Sequence, residues 1–205
     1  MIQPVPTLGI ILAGGLARRM GGADKPLVHV QGQSMAARVA AKLRPQTAAC
    51  VLNANGDPDR FAGVGLPVIQ DDLPGFPGPL AGVLAALDWC AMYRPDLSWA
   101  VSVAADQPFL PDDLVGRLHA CRIRSGAALV QAGSGGRTHP VNALWPVDVR
   151  AELRQALVHD DMRKMGRIME RFGAATEWWD ATAIDPFFNV NTPEDVALAE
   201  TLAGG

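Results

Sequence analysis

The chain has little of what marks several large classes of protein. No stretch approaches the ~18 consecutive apolar residues of a membrane span, and the N-terminal segment MIQPVPTLGIILAGG carries no basic n-region, so it does not read as a signal peptide. Basic residues (18) do not exceed acidic ones (21), giving a net charge of −3 and no footprint of a broad nucleic-acid surface. Only three cysteines occur, Cys50, Cys90 and Cys121, with no CxxC pair among them. They read as buried, reduced thiols of a cytoplasmic protein, without a disulfide framework or thiolate zinc site. The four histidines, His29, His119, His139 and His159, show no HExxH spacing. Walker A and GxGxxG loops are also missing. Glycine (21) and proline (16) stay below the ~25–30% share that marks low complexity. A chain of 205 residues is long enough to bury about 70% of its unfolded surface, so it needs no disulfide or structural metal to be stable.

What is present is an alternation of short buried strands and helices. Leu8–Ala13, Ala48–Asn53, Pro67–Gln70 and Trp99–Ala104 are apolar runs of strand length. Between them, Ser34 is placed to cap a helix running to about Leu43, and a second helix is expected from Leu80 to Met92. A third is expected from Pro111, with Asp112 and Asp113 in its first turn. Further on, Ala127–Ala132 and Thr138–Trp145 flank the turn GSGG. Helices are expected over Val149–Val158 and Met162–Phe172, a short strand over Phe187–Val190, and a last helix begins at Pro193 behind Thr192. No internal repeat or linker interrupts the chain. The order predicts a single domain over 1–205, a three-layer α/β/α sandwich on a mostly parallel, Rossmann-like sheet, with ligands outside the carboxyl ends of its strands.

Those ends carry the chemistry. After the first strand comes LAGGLARRMGGADK, in which two glycine pairs let backbone amides approach a ligand. Arg18, Arg19 and Lys25 add positive charge, a combination suited to phosphate. Asp106 ends the fourth strand in AADQP, where a carboxylate suits Mg²⁺ bound jointly with substrate phosphates. Asn53 and Asn55 in VLNAN suit hydrogen bonds to a base or ribose, and Asp71 follows the third strand. The alternation of Asn189 and Asn191 in FNVNTPED puts both side chains on one face of a strand, where they could assist a metal or a phosphate. His139 is a lesser candidate for the cleft. Trp178 and Trp179 read as packing residues and the charged stretch 159–171 as a solvated helix face.

LAGGLARRMGGADKPL, VLNAN, DDLPGFPGPLAG, DQP and FNVNTPED, in this order and spacing, resemble the molybdenum cofactor guanylyltransferase (MobA) family over about Leu8 to Ala199. The resemblance implies a nucleotidyltransferase that moves GMP from GTP to the terminal phosphate of molybdopterin, with Mg²⁺ as cofactor and pyrophosphate as leaving group. It implies GTP contacts at Leu12, Ala13, Gly14, Gly15, Lys25, Asn53, Asp71 and Asp106, and catalytic electrostatics from Arg19, Lys25 and Asp106, the last also the metal ligand. Gly78 and Gly82 would shape the wall beside the phosphates. Molybdopterin would lie against Asn189, Asn191 and Arg163 or Lys164, making the first half of the chain the GTP side and the second the pterin side. The family more often has Thr or Leu where Gln107 stands, a position expected to point away from the metal. A monomer is expected, with transient contact to molybdenum-insertion proteins or molybdoenzyme chaperones. A cytidylyltransferase on the same acceptor, a sugar-phosphate nucleotidyltransferase and a non-catalytic nucleotide or cofactor carrier are the alternatives.

Overall fold

A computed structural model describes residues 5–14, 24–73 and 78–204. Seven strands form one sheet in the order β5-β4-β1-β6-β8-β7-β9: β1 (Thr7–Leu12), β4 (Ala49–Asn53), β5 (Val68–Ile69), β6 (Trp99–Ala104), β7 (Val130–Ser134), β8 (Arg137–Pro146) and β9 (Ala175–Trp179). A two-stranded ribbon, β2 (His29–Val30) with β3 (Gln33–Ser34), stands apart. In the large sheet every neighbouring pair runs parallel except the two that β8 makes with β6 and β7. The sheet is therefore mostly parallel, as expected, with one strand reversed inside it.

Helices cover both faces. On one side α2 (Pro79–Tyr93), α4 (Arg150–Val158) and α5 (Met165–Arg171) bury Leu84, Leu87, Leu153 and Ile168 against Leu8, Ile10 and Trp145. On the other, α1 (Met35–Leu43) and α3 (Leu114–Ser125) bury Val39, Leu43 and Leu118 against Ile11, Val101 and Leu144. β1 is buried at all six positions, which is why it reads as unbroken apolar sequence. The last helix, α6 (Pro193–Gly204), packs its Ala199 with Val30, Met35 and Val190 beside the ribbon. Among the described residues, no helix is long and apolar enough to cross a membrane.

Several expectations hold in detail. Ser34 accepts a hydrogen bond from the Ala37 amide and starts α1, and β6 has the expected bounds. Others need correction. Helix α3 begins at Leu114, so Asp112 precedes it and Asp113 occupies the cap position instead of the first turn. The hairpin turn tightens to Gly135 and Gly136, both at positive φ, which leaves Gly133 and Ser134 in β7. Residues 187–190 form no strand: Val190 makes one backbone bond, to the Asp106 carbonyl at 3.0 Å. The shared-face argument for Asn189 and Asn191 therefore fails, since it needed strand geometry. The last strand of the sheet comes earlier in the chain: β9 holds Trp178 and Trp179 and lies parallel to β7.

Candidate active site

β1, β4 and β6 end side by side, because Leu12 pairs with both Asn53 and Ala104. Their carboxyl ends, the start of α2 and the short turn Lys25–Leu27 enclose a cleft of about 840 Å³. Leu12, Ala13 and Gly14 line it between two groups: Asn53, Asn55 and Asp71 on the β4 side and Lys25 and Asp106 on the β6 side, with Asp24 and Arg60 also in the lining. Gly78 and Pro79, opening α2, form part of the wall, so the positive end of that helix dipole abuts the cleft.

On the β4 side the polar groups hold one another in register. Asn53, 4% exposed, donates its amide to Asp71 Oδ1 at 2.9 Å and to the Ile69 carbonyl at 3.3 Å. The Asn55 amide donates to Asp71 Oδ2 at 2.7 Å, and its Oδ1 accepts from the Asp71 backbone N–H at 2.9 Å. Asp71 is thus fixed through both carboxylate oxygens. Each oxygen keeps capacity to accept from a further donor, such as the N–H groups of a nucleobase. Gly82 makes this packing possible: a Cβ there would stand 2.1 Å from Asn53 Oδ1.

On the β6 side, the Lys25 ammonium pairs with Asp106 Oδ2 and donates to Asn191 Oδ1 at 2.5 Å. Asp106 Oδ1 is buried and, among the described residues, has no hydrogen-bond partner. A buried carboxylate oxygen with a free lone pair is a hard donor suited to a divalent cation. Among the described residues no three His, Cys, Asp or Glu side chains gather as a cation cage, so such an ion would take its other oxygens from substrate and water. Charge points the same way. The described lining carries three carboxylates, Asp24, Asp71 and Asp106, against two cations, Lys25 and Arg60. That lining does not neutralise a polyphosphate by itself.

The C-terminal segment reaches this side through α6. Asp195 Oδ2 accepts from the backbone N–H groups of Asn191 (2.8 Å) and Thr192 (2.9 Å), while Thr192 Oγ1 accepts from the Asp195 N–H at 3.2 Å. This reciprocal cap pins Asn191 beside Lys25. The Asn191 backbone N–H bond is also the main cause holding the Asp195 carboxyl below its ordinary range.

The structure thus brings together Leu12, Ala13, Gly14, Lys25, Asn53, Asp71, Asp106 and Asn191. Gly15 and Arg19 lie outside the described residues. Asn189 is exposed and its carbonyl accepts from the Asn191 amide at 3.4 Å. Arg163, bonded to Asp161 at 2.6 Å, and Lys164 are exposed ahead of α5 and do not line the cleft. Gln107 points away, as expected: it is buried and donates to the Phe187 carbonyl at 3.2 Å. His139 bonds Ser134 Oγ at 2.7 Å and stacks 5.0 Å from the Phe187 ring, outside the cleft lining. Sequence reasoning missed Asp24 and Arg60, which line the cleft as an ion pair at 2.7 Å. Within GGADK and NGDPDRF neither residue stands out by spacing, and only the folded turn joins them.

With this geometry in view, comparisons with known proteins agree. A family model described as the MobA-like NTP transferase domain matches residues 9–175. A curated relative from Rhodopseudomonas palustris, named molybdenum cofactor guanylyltransferase, is 57% identical over 96% of this chain and 94% of its own. A relative of the same name from Nitrobacter hamburgensis is 55% identical over 98% and 97%. The crystal structure of molybdopterin-guanine dinucleotide biosynthesis protein A from Archaeoglobus fulgidus shares the fold at a TM-score of 0.73, with 23% identity and coverage of 97% of this chain and 99% of that one. The chain belongs to the MobA-like NTP transferase family.

Proposed function

We propose that the chain transfers GMP from GTP to the terminal phosphate of molybdenum-carrying molybdopterin, forming molybdopterin guanine dinucleotide and releasing pyrophosphate. The observation that carries this reading is the pairing of two differently built groups in one cleft. Asp71, clamped by two asparagines, is suited to accept from a base, and Lys25 paired with Asp106 is suited to phosphates and a cation. Relatives 57 and 55% identical over nearly the whole chain are named for guanylyl transfer.

An oxygen of the acceptor phosphate attacks the α-phosphorus of GTP, the P–O bond to the β-phosphate breaks, and pyrophosphate leaves with the electron pair. A phosphate monoester is already an anion at neutral pH, so no side chain needs to remove a proton. The barrier lies in bringing anions together and in the charge that develops on the transferred group. Lys25 meets that charge from a position set by Asp106 and Asn191, while Gly14 and the start of α2 present backbone dipoles. A divalent cation, Mg²⁺ in this reading, would be held at Asp106 Oδ1 and would supply the positive charge that the described lining lacks. Arg19 would add charge from the glycine-rich loop. On the pterin side, Asn189 offers an amide, and Arg163 or Lys164 offers a cation to the acceptor; what supports them is their exposure ahead of α5, which packs on β8. The whole chain, 1–205, acts as one domain in this scheme, with its first half on GTP and its second on the acceptor. The protein works in the cytoplasm as a monomer that meets insertion proteins or molybdoenzyme chaperones transiently.

Pyrophosphate release with molybdopterin, Mg²⁺ and each of GTP, CTP, ATP and UTP in turn tests the reading. Turnover with GTP alone is expected, with Asp106→Ala and Lys25→Ala each losing about 10²–10³ in rate. Turnover with CTP instead would transfer the enzyme to cytidylyl chemistry. Tight GTP binding without pyrophosphate release would make the chain a carrier.

A further inference from the structure

Arg60 stands in the 3₁₀ turn Pro58–Val64 and takes no part in the chemistry above. Its Nη1 donates to both carboxylate oxygens of Asp24 at 2.7 Å, and its Nη2 donates to the Asn55 carbonyl at 2.6 Å. The guanidinium rests 4.7 Å over the Phe61 ring. Asp24 holds the cap position of its own short turn yet makes no capping bond there, so its carboxylate is committed to Arg60.

The two anchors lead to the two differently built groups of the cleft lining. Asp24 directly precedes Lys25, whose ammonium meets Asp106 and Asn191. Asn55 holds Asp71 through its side-chain amide and its Oδ1. We propose that Arg60 is a positioning residue for nucleotidyl transfer, setting the phosphate-side lysine at a fixed distance from the base-side carboxylate through one guanidinium. This rests on the reading of the cleft as a nucleotide site. Arginine is suited to the task because its planar fork reaches two acceptors at once, which the point charge of a lysine does not. Arg60 also neutralises Asp24, which unpaired would place a second carboxylate beside Lys25 and oppose an incoming polyphosphate.

The test compares affinities for guanosine and for Mg²⁺·GTP in the intact protein and in Arg60→Gln, Arg60→Lys, Asp24→Asn and the Arg60→Gln/Asp24→Asn double variant. Guanosine reports on the base side alone, GTP on both sides and on their spacing. Arg60→Gln is expected to lower the GTP-to-guanosine affinity ratio about tenfold, the loss of a charged hydrogen-bonded pair. Arg60→Lys restores the ratio only in part, and adding Asp24→Asn to Arg60→Gln recovers the share of the loss that comes from the unpaired carboxylate but not the share that comes from lost spacing. A ratio within twofold of the parent in Arg60→Gln overturns the proposal, as does full restoration by lysine. Equal loss of both ligands with a lowered melting temperature also overturns it, by showing a general structural role. Should Arg60→Gln not fold, Asp24→Asn carries the same ratio test. A parent protein that binds no guanine nucleotide sinks the nucleotide-site reading together with the proposal, whereas normal parent binding with an unchanged variant sinks the positioning role alone.

Discussion

At the scale of single residues, the site depends on one missing side chain as much as on those present. Gly82 lies in the first turns of α2, where alanine would ordinarily favour the helix by about 1 kcal/mol. Here a methyl group would meet Asn53 Oδ1 at 2.1 Å and Leu12 Cδ2 at 2.9 Å. Asn53 is the flexible member, so it would rotate and give up its bond to Asp71. Gly82→Ala is therefore expected to weaken Mg²⁺·GTP binding by about tenfold, read by equilibrium titration, with a much smaller change in melting temperature. The residues legible in the sequence, Lys25, Asn53, Asp71 and Asp106, are those that follow strands directly or sit in the glycine-rich loop, so chain position alone aims them at the cleft. Arg60 and Asp24 were not legible, because their meeting depends on how a 3₁₀ turn folds back over 36 positions of sequence. Asn191 was placed by a strand that does not form, and its position beside Lys25 follows instead from the cap of α6.

At the scale of elements, helices with clear punctuation were read well and short connections were not. Ser34 and Pro193 each mark a start that the structure keeps, and α2 begins at Pro79, one residue ahead of the expected Leu80. β9 escaped because half-buried Thr176, the buried charge Glu177 and exposed Trp178 give no clean apolar run; it is specified by pairing with β7, a long-range fact. Gly133 lets this pairing close up, since a Cβ there would meet Trp178 at 2.6 Å. The α6 cap carries the element-level prediction. Asp195→Ala removes the acceptor for two backbone N–H groups and is expected to cost about 1 kcal/mol in urea unfolding. Because the same cap pins Asn191, Lys25 should also lose part of its support, so activity should fall in a variant that remains folded at the assay temperature.

At the scale of the whole molecule, the expected layered α/β architecture is present, and what the sequence could not convey is the reversal of β8. Apolar patterning reports burial, not direction, so a reversed strand inside a parallel sheet reads like any other. The reversal makes one ladder, Trp99–Ser102 against Ala143–Pro146, the joint between β5-β4-β1-β6 and β8-β7-β9. Ser102 secures it, its hydroxyl donating to the Val141 carbonyl at 2.6 Å and accepting from the buried Trp145 Nε1 at 2.9 Å. Ser102→Ala leaves the indole N–H buried without a partner and is expected to cost about 1–3 kcal/mol of stability in urea unfolding.

That joint also bears on how such a molecule changes over generations. Four strands on one side of it, with the connections that follow them, hold nearly every described residue lining the cleft, while the three on the other share no strand pairing with them except through β6 and β8. Mutations accumulating beyond Ser102 can reshape that flank, lengthening the two-glycine hairpin tip or recasting β9, while the cleft-lining strands stay under their own separate selection. A lineage can in this way inherit one half and experiment with the other.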